Sequence, residues 1–215
     1  MKISILCTNK NHPIFPQLES WQHHNASEHE VELVDSRKLL SGGDLLILIS
    51  CSEIIGQDIR DRYQKTLVIH ASDLPKGRGW SPHIWQVIEG KKEIMVSLLE
   101  AENAVDSGAI WSKKSFSLEG HELWDEINEK LFAVEVELMN FAVENFDIVN
   151  PKSQKDIEPS YYPKRNPDNS KIDPRKSIDE QFDLLRVCDP ERYPAYFELR
   201  GYRYKVILEK IGKEA

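Results

Sequence analysis

Residues 44–50 (DLLILIS) and 66–70 (TLVIH) are short apolar runs with almost no polar interruption. Strands of that kind are covered on both faces, which is the condition of a largely parallel sheet flanked by helices. The neighbouring segments fit such a sheet. Residues 2–7 (KISILC), 31–35 (VELVD), 93–99 (EIMVSLL) and 109–116 (AIWSKKSF) read as further strands. Residues 53–63 read as a helix, and Ser81–Pro82 as the N-cap and first position of another over 81–89. Residues 121–146 carry Trp124, Ile127, Leu131, Val134, Leu138 and Phe141 at three- and four-residue steps, the pattern of a long amphipathic helix. Alternating strands and helices predict an α/β sandwich, mostly parallel, whose strand ends supply the site.

The composition changes near residue 150. Seven of the 11 prolines follow Asn150, no glycine lies between Gly120 and Gly201, and the charge balance reverses. Residues 1–150 hold 14 bases and 24 acids, and residues 151–215 hold 14 and 12. The expected organisation is a catalytic domain over 1–150 and an extension over 151–215. That extension would have an extended stretch to about 176, a helix over 178–187 and a β-hairpin over 195–208. Sixty-five proline-rich residues are not expected to fold alone, so the extension is expected to pack on the first domain and close one side of a cleft.

A net charge of -8 argues against a general nucleic-acid binder, because phosphate-backbone affinity needs clustered Lys and Arg. No apolar run approaches the roughly 20 residues of a membrane span, and MKISILC lacks the core of a signal peptide. Cys7, Cys51 and Cys188 form no CxxC pair, so a reducing cytoplasm is expected. His23, His24 and His29 lack the spacing of a ligand set and read as a helix-to-strand linker; no metal is expected. Lys113–Lys114 reads as a solvated edge.

The segment with chemistry is 67–90, LVIHASDLPKGRGWSPHIWQVIEG. A buried strand delivers His70 to its carboxyl end. Ser72 and Asp73 follow, and Pro75–Gly79 make a turn with a cationic tip, Lys76 and Arg78. A histidine there sits where α/β proteins place reacting groups, and it is the usual acid–base side chain near neutral pH. Residues 100–108 (EAENAVDSG) interrupt the strands, and Asp106 precedes a Ser107–Gly108 turn. Taken alone, Asp106 reads as a turn residue.

Together the two segments resemble a known family. HASDLPKGRGWSP is similar to the H-x-S-x-LP-x-x-RG-x-x-P motif of the N10-formyltetrahydrofolate-dependent formyltransferases. AVDSGAI resembles that family's aspartate loop, at a similar distance downstream of the histidine. The resemblance implies a Rossmann-like formyltransferase domain carrying a small helix-and-hairpin extension, with N10-formyltetrahydrofolate as cosubstrate. It implies catalytic His70 and Asp106, and a folate site at Leu74, Pro75, Gly79, Leu99, Ala101, Val105 and Asp106. Ser72, Lys76, Arg78, Tyr161, Tyr162 and Arg165 are expected on the acceptor side, because aromatics beside arginine suit a base and a phosphate. One position departs from the pattern: the family has asparagine two residues before the histidine, and this chain has Val68. Either His70 works with a backbone donor or another polar side chain, or the chain is a non-catalytic folate- or ligand-binding module.

Among the family's acceptors, an aminoacyl-tRNA is disfavoured by the acidic charge and the short tail. The fit is best for an amino-sugar nucleotide of surface-glycan biosynthesis, with a carrier-bound amino acid as a further alternative. The 195–208 hairpin is equally consistent with a two-fold homodimer and with an intramolecular role.

Overall fold

The computed structural model describes residues 1–213. Six strands form the main sheet: β1 (Lys2–Leu6), β2 (Glu30–Val34), β3 (Gly43–Leu48), β4 (Tyr63–His70), β6 (Glu93–Glu100) and β7 (Ile110–Ser117). Their order is β2-β1-β3-β4-β6-β7, with four parallel strands followed by two antiparallel ones. The apolar runs lie at the centre. Ile3, Ile5, Leu45, Ile47 and Leu67 are fully buried on one face, under α1 (Phe15–Asn25), α3 (Pro82–Ile88) and α4 (Trp124–Glu144). Leu6, Leu46 and Leu48 form a second cluster on the other face with Ile59 of the short helix α2 (Gln57–Arg60).

Three local expectations are corrected. The helix expected over 53–63 shrinks to α2, because Gly56 is extended at its start and Tyr63 enters β4. The Tyr63 hydroxyl donates to Ser4 Oγ at 2.8 Å and accepts from the Gly42 N–H, which fixes it in the sheet. Ser81 stands at the start of α3 but is left-handed (φ 46°) and makes no side-chain cap. Lys113 is no solvated edge: its ammonium is an ion-pair partner of Asp73 and donates to the Leu74 carbonyl at 2.8 Å, pinning the turn after β4.

The extension returns across the first 150 residues. Lys152 bridges Ile110 at the start of β7, and β8 (Tyr161–Tyr162) pairs in parallel with the two-residue strand β5 (Arg78–Gly79). The helix expected over 178–187 is a 3-10 turn, Asp179–Gln181, leading into α5 (Phe182–Arg186). Strands β9 (Ala195–Leu199) and β10 (Tyr202–Val206) form the hairpin. Arg200 and Gly201 both have positive φ at its turn, as a tight two-residue connection requires. Ile172, Leu185, Cys188 and Ala195 make a small core under it.

Arg186, 2% exposed, ties the extension to the first unit. Its guanidinium donates to the Glu122 carbonyl at 3.3 Å, and the Glu122 carboxylate accepts from Lys130 at 2.7 Å. No helix is long and apolar enough to cross a membrane among the described residues.

Candidate active site

His70 is the last residue of β4, and Asp106 lies in the loop joining β6 to β7. The fold brings them together: His70 Nδ1 is 3.6 Å from Asp106 Oδ2, and both side chains are under a tenth exposed. Backbone groups set the orientation of each. His70 Nε2 is 2.8 Å from the Gly77 carbonyl. A carbonyl only accepts, so that nitrogen carries the proton, and Nδ1 is the ring nitrogen turned toward the carboxylate. Asp106 Oδ2 accepts from the Gly79 N–H at 2.9 Å. Asp106 itself is left-handed (φ 52°), which turns its carboxylate inward from the loop.

The turn that makes these contacts is held by the extension. Arg78 N donates to the Ser160 carbonyl, Trp80 N to the Tyr162 carbonyl, and Gly77 N to Ser160 Oγ. A Cβ at Gly79 (φ 100°) would lie 2.5 Å from the Tyr162 carbonyl oxygen, so this strand pair needs glycine there. Gln154 completes the frame. Its amide donates to the carbonyls of Asp106 (2.7 Å) and Gly108 (3.0 Å), and its oxygen accepts from Arg78. Nothing in the sequence pointed to Gln154, which comes from an aperiodic, proline-flanked stretch.

Other expected residues divide by exposure. Leu74 and Leu99 are buried, and with Ile110 they form an apolar cluster against Val68. Their side chains are walls, and any ligand contact at Leu99 falls to its backbone. Pro75 is buried and Ala101 half-buried, whereas Glu102–Val105 stand exposed. Val105 is 56% exposed. Ser72 is buried with its hydroxyl unpartnered, beside its own carbonyl's bond from Ser97 Oγ. Lys76 is exposed and bonds the Glu158 carbonyl. Tyr161 is exposed, while Tyr162 stacks on Trp85 at 6.4 Å and donates to Glu89 at 2.7 Å.

Arg165 departs from the expectation of a phosphate ligand. Its guanidinium is buried, lies 5.1 Å from the Tyr193 ring centre and donates to Ser170 Oγ. It supports the extension rather than facing a ligand. No group of three or more His, Cys, Asp or Glu stands where it could hold a metal among the described residues.

Two further histidines are held neutral by their surroundings. Burial and the neighbouring Arg192 charge push His12 down to about 4. Burial, then His12, Arg165 and His70, push His83 down to about 3. Both rings are therefore neutral near pH 7, able to donate or accept hydrogen bonds without adding charge. His83 follows Pro82 at the start of α3, so a polar residue directly after the motif was the available signal.

The family model described as "Formyl transferase" matches residues 5–143. Methionyl-tRNA formyltransferase of Rickettsia bellii is 30% identical over 173 residues, covering 80% of this chain and 56% of that protein. The chain spans about half the length of the curated relatives it matches. Among solved structures, a methionyl-tRNA formyltransferase from Clostridium thermocellum superposes with a TM-score of 0.82 at 22% identity, over 99% of this chain and 95% of that one. A sugar N-formyltransferase from a Shewanella species superposes with a TM-score of 0.75 at 16% identity, over 99% of each chain.

Proposed function

The chain belongs to the formyl transferase family, and from that premise we propose that it moves the formyl group of N10-formyltetrahydrofolate to the primary amine of an amino-sugar nucleotide. The observation that carries the reaction is the meeting of His70 and Asp106 at 3.6 Å at the end of a buried strand. Residues 1–150 are the transferring unit, and 151–215 complete its acceptor side.

The fit to the cosubstrate rests on the β6–β7 loop. Its exposed peptides at Glu102–Val105 offer donors and acceptors to an amide-like pterin edge, and the exposed Val105 offers apolar contact. When bound, N10-formyltetrahydrofolate supplies an activated formyl carbon. His70, held through Nε2, presents Nδ1 to the crevice; protonated there, it stabilises negative charge developing on the formyl oxygen. Asp106 Oδ2 would accept the proton that leaves the attacking amine and return it to N10 as the C–N10 bond breaks, so that tetrahydrofolate departs as a neutral amine while the developing oxyanion, not the carboxyl, balances the imidazolium. Val68 provides no amide at this site, so the polarising work falls on His70 and on backbone N–H groups of the turn.

One observation supports the acceptor: the net charge of -8 opposes an RNA backbone. The fold is shared by both kinds of enzyme, since a methionyl-tRNA formyltransferase and a sugar N-formyltransferase each match over nearly all of both chains. A second reading, an aminoacyl-tRNA acceptor, is favoured by the names of the curated relatives. Incubation with N10-formyltetrahydrofolate and a panel of UDP- and dTDP-linked amino sugars, followed by mass spectrometry, tests the choice. The expected result is a sugar nucleotide heavier by one formyl group. Formylation of aminoacyl-tRNA alone would overturn the acceptor, and folate binding with no acceptor modified would leave a binding module.

A further inference from the structure

Asp106 stands in the left-handed region (φ 52°) although it carries a side chain. That backbone is disfavoured for a residue with a Cβ, and it persists only where the surroundings hold it from several sides. Its neighbours in the loop do not supply the hold. Glu102–Val105 are exposed, and among the described residues no backbone N–H reaches the Asp106 carbonyl. The donor to that carbonyl is the side-chain amide of Gln154, at 2.7 Å.

Gln154 is placed for this by the chain just before it. Ile110 N donates to the Lys152 carbonyl at 2.7 Å, and Lys152 N to the Ile110 carbonyl at 2.9 Å. This antiparallel bridge runs 152–154 alongside 108–110 and brings Gln154 opposite Gly108. The amide nitrogen also donates to the Gly108 carbonyl at 3.0 Å. Gly108 is a firm anchor, packed so tightly on β6 that a Cβ there would lie 1.9 Å from the Glu100 carbonyl oxygen. The amide oxygen accepts from Arg78 at 2.8 Å. A guanidinium only donates and a carbonyl only accepts, so the amide has one orientation.

We propose that Gln154 is a positioning residue for formyl transfer: its grip on the Asp106 carbonyl keeps that backbone left-handed and thereby keeps the carboxylate beside His70 and on the Gly79 N–H. The kinetic consequence rests on the formyl-transfer reading above; the geometric one does not. Without the grip, Asp106 relaxes to an ordinary backbone conformation, and the Cα–Cβ bond turns the carboxylate away from the imidazole. Gln154 lies beyond the 5–143 span that the family model matches, so a residue of the extension sets the geometry of a pair that belongs wholly to the first 150 residues.

The test uses the full chain and two substitutions that divide the amide's bonds. Q154E keeps an acceptor for Arg78 and removes both donors to the carbonyls, whereas Q154M keeps the length and removes all three bonds. Both are expected to lower kcat about tenfold to a hundredfold, less than loss of the Asp106 charge itself. In a double-mutant cycle, D106N/Q154E should fall within about threefold of D106N alone, because Gln154 acts through Asp106. The Gly79 amide resonance is the structural readout. It should move upfield in Q154E as its bond to the carboxylate is lost, while the Arg78 and Trp80 amides, which bond the Ser160 and Tyr162 carbonyls, stay in place.

Wild-type kcat in Q154E would overturn the role, since it would leave the Arg78 contact as the only one that matters. Multiplying losses in the double mutant, or an unmoved Gly79 resonance, would overturn it too. So would equal movement at Arg78 and Trp80, which would make Gln154 a fastener of the extension and not of Asp106. The Gly79 signal needs no acceptor, so the two readings fail separately. A shifted Gly79 amide with no amine formylated keeps the grip and removes the reaction, whereas formylation with that amide unmoved does the reverse.

Discussion

His70 and Asp106 approach to 3.6 Å, yet each makes its shorter contact to backbone, His70 to the Gly77 carbonyl and Asp106 to the Gly79 N–H. The pair is thus positioned by one turn that touches both members, and the gap between them is longer than a hydrogen bond. A reacting amine can deliver its proton into that gap without displacing either group from its anchor. Asp106→Asn keeps the shape and the acceptor for Gly79 but removes the charge. It is expected to lower kcat by about 10²–10³ while the melting temperature stays near wild type. His70→Gln should behave alike in steady-state assays. Wild-type turnover in either variant would remove the mechanism.

Val68 occupies the family's asparagine position, two residues before His70 and on the same face of β4. It contacts Leu74, Leu99 and Ile110. Val68→Asn would put an amide among these apolar side chains, with an expected cost of about 1–3 kcal/mol in stability and no gain in turnover. Denaturant melts and initial rates check both halves. A tenfold rise in kcat would show instead that the crevice is short of a polarising amide.

Gly79 links the reacting pair to the extension. Gly79→Ala would force a Cβ to within 2.5 Å of the Tyr162 carbonyl oxygen at φ 100°. Separation of β5 from β8 is the expected response, with loss of the Gly79 N–H from Asp106 and a destabilisation of about 1–3 kcal/mol. Hydrogen exchange should speed up at 158–164, and activity should fall further than stability alone explains. Unaltered exchange there would mean that the extension does not hold the turn.

How much of this the sequence discloses depends on whether the cause is local. The central strands were legible because 44–50 and 66–70 are apolar on both faces, and His70 was legible because the run ends on it. The convergence of His70 with Asp106 followed from the paired motifs, since spacing alone left Asp106 a turn residue. The grip of β8 on β5 was not legible: it joins residues 83 positions apart through backbone groups, which leave no mark in composition. Gln154 was invisible for the same reason. Arg165 was misplaced because aromatic–arginine proximity looks alike in sequence whether the guanidinium faces a ligand or, as here, lies buried against Tyr193. The helix over 53–63 failed on Gly56, whose extended backbone interrupts an otherwise helical pattern.

A pH dependence of stability follows from Glu135 on α4. Its carboxyl is 5% exposed, one oxygen has no hydrogen-bond partner, and burial pushes its pKa up to about 8 from 4.5. The folded protein therefore keeps this proton across a range in which the unfolded chain has released it. Unfolding then releases a proton, so the contribution to stability falls as pH rises from 4.5 to about 8 and is level above that. The slope is at most about 1.4 kcal/mol per pH unit. Glu135→Gln keeps a neutral side chain of nearly the same volume and cannot ionise. Wild-type melting temperature is expected to decline between pH 5 and pH 8 relative to the variant, whose own profile should be flatter over that interval. The variant should be the more stable of the two at pH 8, where the wild type carries the full cost of burying the carboxyl. Parallel profiles for the two proteins would show that Glu135 is ionised in the fold with a partner that the buried α4 face does not supply.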